Sequence, residues 1–196
     1  PSKVIPMLPE EISNNLCSLV PNQIRNVVVC EIAFSELGEV RGYNFFEARI
    51  KSHKRMTYAE VDKFLAVGSG LESNISNSIK SLHKLTETLL KIRSKRGALE
   101  IESQEPILDI NLEGKVNKII LPKRLFSHQM VEESMLAANV CAANFMNKHY
   151  NFGVYRIHEE PDELKLESLK KFFSLKGFSG SFSKDPASLI KQCLLH

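Results

Sequence analysis

The sequence predicts an α+β fold in which antiparallel β hairpins pack with several α-helices. Three observations carry this expectation. The β-branched, apolar run Val27 to Phe34 turns at Ser35-Glu36-Leu37-Gly38 into a second strand-like run. Apolar residues recur at three- and four-residue steps from Ile75 to Ile92. The stretch from Leu125 to about Tyr150 is helical in character and rich in alanine, asparagine and methionine.

In chain order, the first 24 residues read as an extended segment with one short helical turn at most. Pro6, Pro9 and Pro21 each remove a backbone donor and bar a long helix. Val27 to Phe34 is predicted as a well-buried strand and Val40 to Lys51 as its antiparallel return. Thr57 is the cap of a helix over Tyr58 to Ala66, which Gly68 and Gly70 end. A longer helix opens at Ser73 or Asn74 and runs to about Lys95, with Gly97 as its stop. Its buried face is Ile75, Ile79, Leu82, Leu85, Leu89 and Ile92.

Ile107 to Leu112 and Lys115 to Leu121 flank Glu113-Gly114 and predict a second hairpin with a tight turn. In the helix that follows, Ala137, Ala138, Ala142 and Ala143 allow close packing on a sheet or another helix. Val154 to His158 reads as a strand. Pro161 and Asp162 open a helix that runs to Lys176 and ends at Gly177. Asp185-Pro186 opens a last one over Ala187 to about Leu194.

A length of 196 residues allows one sizeable core or two small ones, and the hydrophobic and charged shares, 43% and 25%, are ordinary for a globular protein. No apolar run approaches the roughly 20 residues that span a bilayer, so no membrane partner is expected. The net charge of +3 does not by itself argue for a nucleic-acid partner. Three local clusters could meet phosphates: 51–55, 91–96 and Lys123-Arg124. Taken singly, each such cluster is more often a solvated helix or loop face. Cys17, Cys30, Cys141 and Cys193 show neither a close pair nor a metal-ligand spacing, which suggests reduced thiols in a cytoplasmic protein.

Catalytic groups are hard to find. Two-metal phosphodiester chemistry needs several converging carboxylates. Here Asp62, Asp109, Asp162 and Asp185 are scattered, and the pairs Glu10-Glu11, Glu132-Glu133 and Glu159-Glu160 diverge from a shared backbone. No metal site is assigned. The histidines, His128 among them, stand in no recognisable catalytic context, and no nucleophile elbow or phosphate-binding loop appears.

Four segments nevertheless form an ordered set: 5–19, opening Ile5-Pro6-Met7-Leu8-Pro9-Glu10-Glu11; Lys54-Arg55-Met56-Thr57-Tyr58-Ala59-Glu60-Val61; 132–143, opening Glu132-Glu133-Ser134-Met135-Leu136-Ala137-Ala138-Asn139; and Tyr155-Arg156-Ile157-His158-Glu159. The set resembles the RNB-domain family of ribonuclease II and ribonuclease R exoribonucleases, most like the R branch. The resemblance covers nearly the whole chain. It implies that residues 1–196 are the central portion of an incomplete RNB catalytic domain. Such a portion lacks the aspartate cluster upstream and the Thr-Ser-Pro-Ile-Arg segment downstream. The implied parent degrades single-stranded RNA processively from its 3′ end to nucleoside 5′-monophosphates with magnesium, whose ligands lie outside this chain. The piece by itself is expected to be inactive, and edges left open in its sheet are expected to favour self-association.

The resemblance also implies residue roles. The residues matching Tyr58 and Glu132 line the RNA channel and distinguish ribose from deoxyribose. A phenol and a carboxylate can both hydrogen-bond a 2′-hydroxyl, and the phenol ring offers a face to a base. Ile101 stands where the family commonly carries a base-stacking phenylalanine; it can pack on a base edge but has no π-face. Without the resemblance, Tyr58 would be a half-buried aromatic at a helix start, and Glu132 a solvent-facing charge near a helix N-terminus. A stand-alone RNA-binding or interaction module on the same scaffold is the alternative reading, and a structural domain with no nucleic-acid role is the third.

Overall fold

Ile24–Phe34 (β1) and Val40–Lys51 (β2) pair antiparallel, with Cys30 opposite Phe45 and Val28 opposite Glu47. The computed structural model that shows this describes residues 5–98, 106–111, 113–155, 157, 159–178 and 180–194. The chain falls into two units. Pro1–Leu89 with Leu125–Gly153 is the first, and Leu90–Arg124 with Val154–His196 the second.

In the first unit, β1 is three residues longer than predicted, and β2 has the predicted bounds. The expectation that β1 is well buried needs correction. Exposed and half-buried residues largely alternate along it, and Val28 is 72% exposed. A parallel strand covered on both faces can be apolar throughout, but among the described residues β1 has one strand partner, β2, and keeps an open face. Before β1, Glu11–Leu16 forms a single π-helical turn. Arg25 at the start of β1 pins it: Nε donates to the carbonyls of Asn15 (3.1 Å) and Ser18 (3.0 Å), and Nη2 to Asn15 Oδ1 (2.7 Å) and Gln23 Oε1 (2.6 Å). The planar guanidinium fork suits this cluster of acceptors, where a lysine ammonium would not.

Tyr58–Val67 is α1 and Ser73–Lys95 is α2, whose last residues belong to the second unit. Thr57 and Glu60 form a capping box at the head of α1. Thr57 Oγ1 accepts from the Glu60 N–H (3.2 Å), and Glu60 Oε2 accepts from the Thr57 N–H (2.6 Å). Gly68 closes α1 at φ +77°, where a β-carbon would be strained. The helix over Phe126–Tyr150, here α3, packs on α1 and on β1. Phe64, Met130 and Cys141 are buried there. One turn beyond Cys141, Phe145 meets Phe45 with ring centres 5.1 Å apart, so Cys30 and Cys141 share the β1–α3 contact. Burial pushes the Cys141 thiol up, and the adjacent Cys30 thiol adds to the shift.

The second unit holds the hairpin of Ile107–Ile110 (β3) and Val116–Ile120 (β4), shorter than predicted, with Leu112 outside the described residues. Asn111 Oδ1 organises the turn by accepting from the Glu113 N–H (3.1 Å) and the Lys115 N–H (2.9 Å), and Gly114 takes φ +79°. Two helices follow. Glu163–Leu175 (α4) is capped by Asp162, and Asp185 accepts from the Ser188 N–H in the first turn of Pro186–Leu194 (α5), which buries Leu189 and Cys193. The strand predicted over Val154 to His158 is not found. Val154, Tyr155 and Ile157 have no strand assignment, and Val154 is 97% exposed; Arg156 and His158 lie outside the described residues. β-branched residues favour extended backbone, but a strand exists only where a neighbour supplies its ladder.

Candidate nucleic-acid interface

The site grows from a helix that cannot cap itself. The N-cap position of α3 is Leu125, which has no side-chain acceptor, so its first amide groups need partners from elsewhere. Asp62, one turn after Tyr58 on α1, supplies them. Its carboxylate accepts from the N–H of Phe126 (3.2 Å) and of Ser127 (2.9 Å). The negative charge thus sits at the positive end of the α3 dipole. Burial alone would raise Asp62, but these bonds, the Ser127 hydroxyl and the nearby His128 outweigh it and hold the carboxyl below the ordinary range.

Two further contacts close the corner. The Ser127 hydroxyl donates to the Tyr58 carbonyl (3.0 Å) and is itself buried. His128 Nδ1 accepts from the Leu125 N–H (3.0 Å), the part that a glutamate or glutamine plays in an ordinary capping box. The ring of His128 then lies against Tyr58, with centres 4.0 Å apart and planes 28° from parallel. From α2, His83 reaches Phe126, with ring centres 4.8 Å apart. The first turns of α1 and α3 are thereby tied at backbone, side-chain and ring level.

Tyr58 is the first residue of α1 and is 45% exposed, with one ring face on His128; its hydroxyl has no hydrogen-bond partner among the described residues. Glu132 is half-buried, one turn beyond His128 on the same side of α3. Helical side chains lean toward the N-terminus, so Glu132 inclines toward the turn that carries His128. The simple expectation of a solvent-facing charge at Glu132 is therefore corrected to a half-buried one. Glu133 is buried, at 6% exposure. Ile101 lies outside the described residues. Lys54 and Arg55, both exposed, precede the Thr57 cap and give the start of α1 a positive approach.

Asp62, Ser127 and His128 were missed as members of this corner. The spacing of Tyr58 and Asp62 by one turn, together with a helix whose N-cap is leucine, was the available signal. Among the described residues no group of three or more His, Cys, Asp or Glu side chains could hold a metal. The corner itself can present a hydroxyl, a carboxylate, an aromatic face and flanking cations to a sugar–phosphate chain.

The RNB domain family matches residues 1–194. The chain belongs to that family. Among its relatives, ribonuclease R of Vibrio cholerae is 36% identical over 98% of this chain. Exoribonuclease 2 of Buchnera aphidicola is 34% identical over 95% of it. The chain spans 24% and 29% of those two proteins. The solved structure of Mycoplasma genitalium RNase R in complex with ribose-methylated single-stranded RNA superposes with a TM-score of 0.88 at 32% identity, covering 98% of this chain and 31% of that one. The α+β architecture with antiparallel hairpins is thus the architecture of an RNB domain.

Proposed function

We propose that this chain forms part of the RNA channel of a 3′-to-5′ exoribonuclease, a hydrolase that degrades single-stranded RNA processively to nucleoside 5′-monophosphates. Membership of the RNB family and the likeness to ribonuclease R and exoribonuclease 2 support the activity. The chain would act as the central portion of a longer catalytic domain, since it spans about a quarter of those relatives. Magnesium would be held by residues outside this chain, in a cytoplasmic protein. Within the channel, Tyr58 and Glu132 grip the ribose of the bound strand, and Ile101 packs on a base edge.

The observation that carries the ribose assignment is the fixed start of α1 on the first turn of α3, which leaves Tyr58 45% exposed and stacked on His128, one turn before Glu132 on α3. Each 2′-hydroxyl bond would contribute about 1 kcal/mol, so losing both should lower discrimination roughly tenfold or more. The test compares binding of a single-stranded oligoribonucleotide and the matching oligodeoxyribonucleotide at low salt. The expected preference for RNA falls toward unity in the Tyr58→Phe, Glu132→Ala double variant. Unchanged discrimination overturns the assignment of these two residues. A paired nuclease assay with magnesium tests the rest: activity is expected in a protein carrying the whole domain and not in this chain.

A further inference from the structure

We infer that His128 is the positioning residue for Tyr58: its ring is the platform that fixes the phenol where it meets a ribose. This rests on the reading of Tyr58 as a ribose contact. Three features on the two helices single out His128. Its ring covers one face of Tyr58 at 4.0 Å and 28°, which is a stacked pair and not a glancing contact. Its Nδ1 is held by the Leu125 N–H at 3.0 Å, so the ring has a fixed orientation as well as a fixed location. It also sits one helical turn before Glu132, on the element that carries the second ribose contact.

Tyr58 needs such a platform. As the first residue of α1 it lacks a preceding helical turn to pack against, and it is 45% exposed. An exposed phenol samples several rotamers, and each one that misses the sugar weakens the bond to a 2′-hydroxyl. Stacking on a ring that is itself tethered removes that freedom before RNA arrives. The Ser127 hydroxyl on the Tyr58 carbonyl fixes the backbone in the same way, and Asp62 fixes the turn of α3 from which His128 projects. His128 therefore has two separable parts: an acceptor that serves the helix, and a ring that serves Tyr58.

Two substitutions separate them. Gln at a capping-box position accepts from the N-cap N–H, so His128→Gln keeps the acceptor and removes the ring. His128→Phe keeps an aromatic face and removes the acceptor. Each variant, with Tyr58→Phe and the double variant Tyr58→Phe, His128→Gln, is assayed for its RNA-to-DNA affinity ratio and its thermal midpoint. Expected is a His128→Gln protein whose midpoint stays near that of the wild type while its ratio drops severalfold. His128→Phe should lose midpoint and retain the ratio. The double variant should discriminate no worse than Tyr58→Phe alone, the coupling expected when one residue acts through another.

If Tyr58→Phe lowers the ratio while His128→Gln leaves it unchanged, the positioning role is overturned and the reading of Tyr58 stands. If Tyr58→Phe itself leaves the ratio unchanged, the ribose reading falls and takes this inference with it. A ratio that drops equally in His128→Gln and His128→Phe, in step with the midpoint, also overturns it, because the effect is then that of a helix cap.

Discussion

At the scale of the residue, Asp62 decides whether α1 and α3 meet correctly. Its side chain replaces a cap that Leu125 cannot provide, and loss of such a cap costs about 1–2 kcal/mol. Asp62→Ala should therefore lower chemical-denaturation stability by about that amount. The sign of the pH dependence follows from the direction of the shift. The folded carboxyl lies below its unfolded value, so its contribution is complete above the ordinary carboxylate range and is lost as pH falls through the depressed folded value. Unfolding curves near neutrality and at strongly acid pH should differ more for the native protein than for Asp62→Asn. Equal acid sensitivity in the two would show that other carboxylates carry the effect. Glu60 and Asp185 are also lowered, by hydrogen bonds from Thr57 and from Ser188 respectively, and serve as the comparison.

At the scale of the element, legibility tracked distance along the chain. The bounds of β2, α1, α2 and α3 follow from signals within a few residues of each end: the Thr57 cap, Gly68 and Gly97 at positive φ, and the apolar period of α2. The Asp62 clamp spans 64 and 65 residues, and no local pattern announces a carboxylate that caps a different helix. At Val154, Tyr155 and Ile157 the complementary case holds: side-chain propensity is present, and among the described residues no strand pairs with them. The stacking of His128 on Tyr58 likewise joins residues 70 positions apart and required the fold. The head of α1 offers a direct check: Thr57→Ala removes the hydroxyl that accepts from the Glu60 N–H, leaves the backbone N–H that donates to Glu60, and should cost about 1 kcal/mol, seen as a lower thermal midpoint. An unchanged midpoint would mean that the ties to α3 hold α1 without its own cap.

At the scale of the whole molecule, little apolar surface is fully enclosed. Among the described residues the buried apolar side chains are Phe64, Met130 and Cys141 in one unit, and Leu189 and Cys193 in the other. Every residue of β3 and β4 is exposed, including the cross-strand pair Leu108 and Ile119. A two-stranded hairpin is marginal alone, and unpaired strand edges recruit other strands. Sedimentation should therefore show mass rising with concentration, and Ile119→Lys should reduce that rise. A protein that stays monomeric at high concentration would overturn the expectation.

The borrowed cap on α3 has a last consequence, for the order of events in folding. A helix capped by its own neighbouring residue gains that stabilisation as soon as its first turn forms. The amides of Phe126 and Ser127 must wait until an intervening loop of some 64 residues has closed on Asp62. Closure of that length is an entropic cost met before any return from the contact. The start of α3 is consequently the late-forming end of an otherwise strong helix. The corner that holds Tyr58 is completed only when segments far apart in the chain have already found each other.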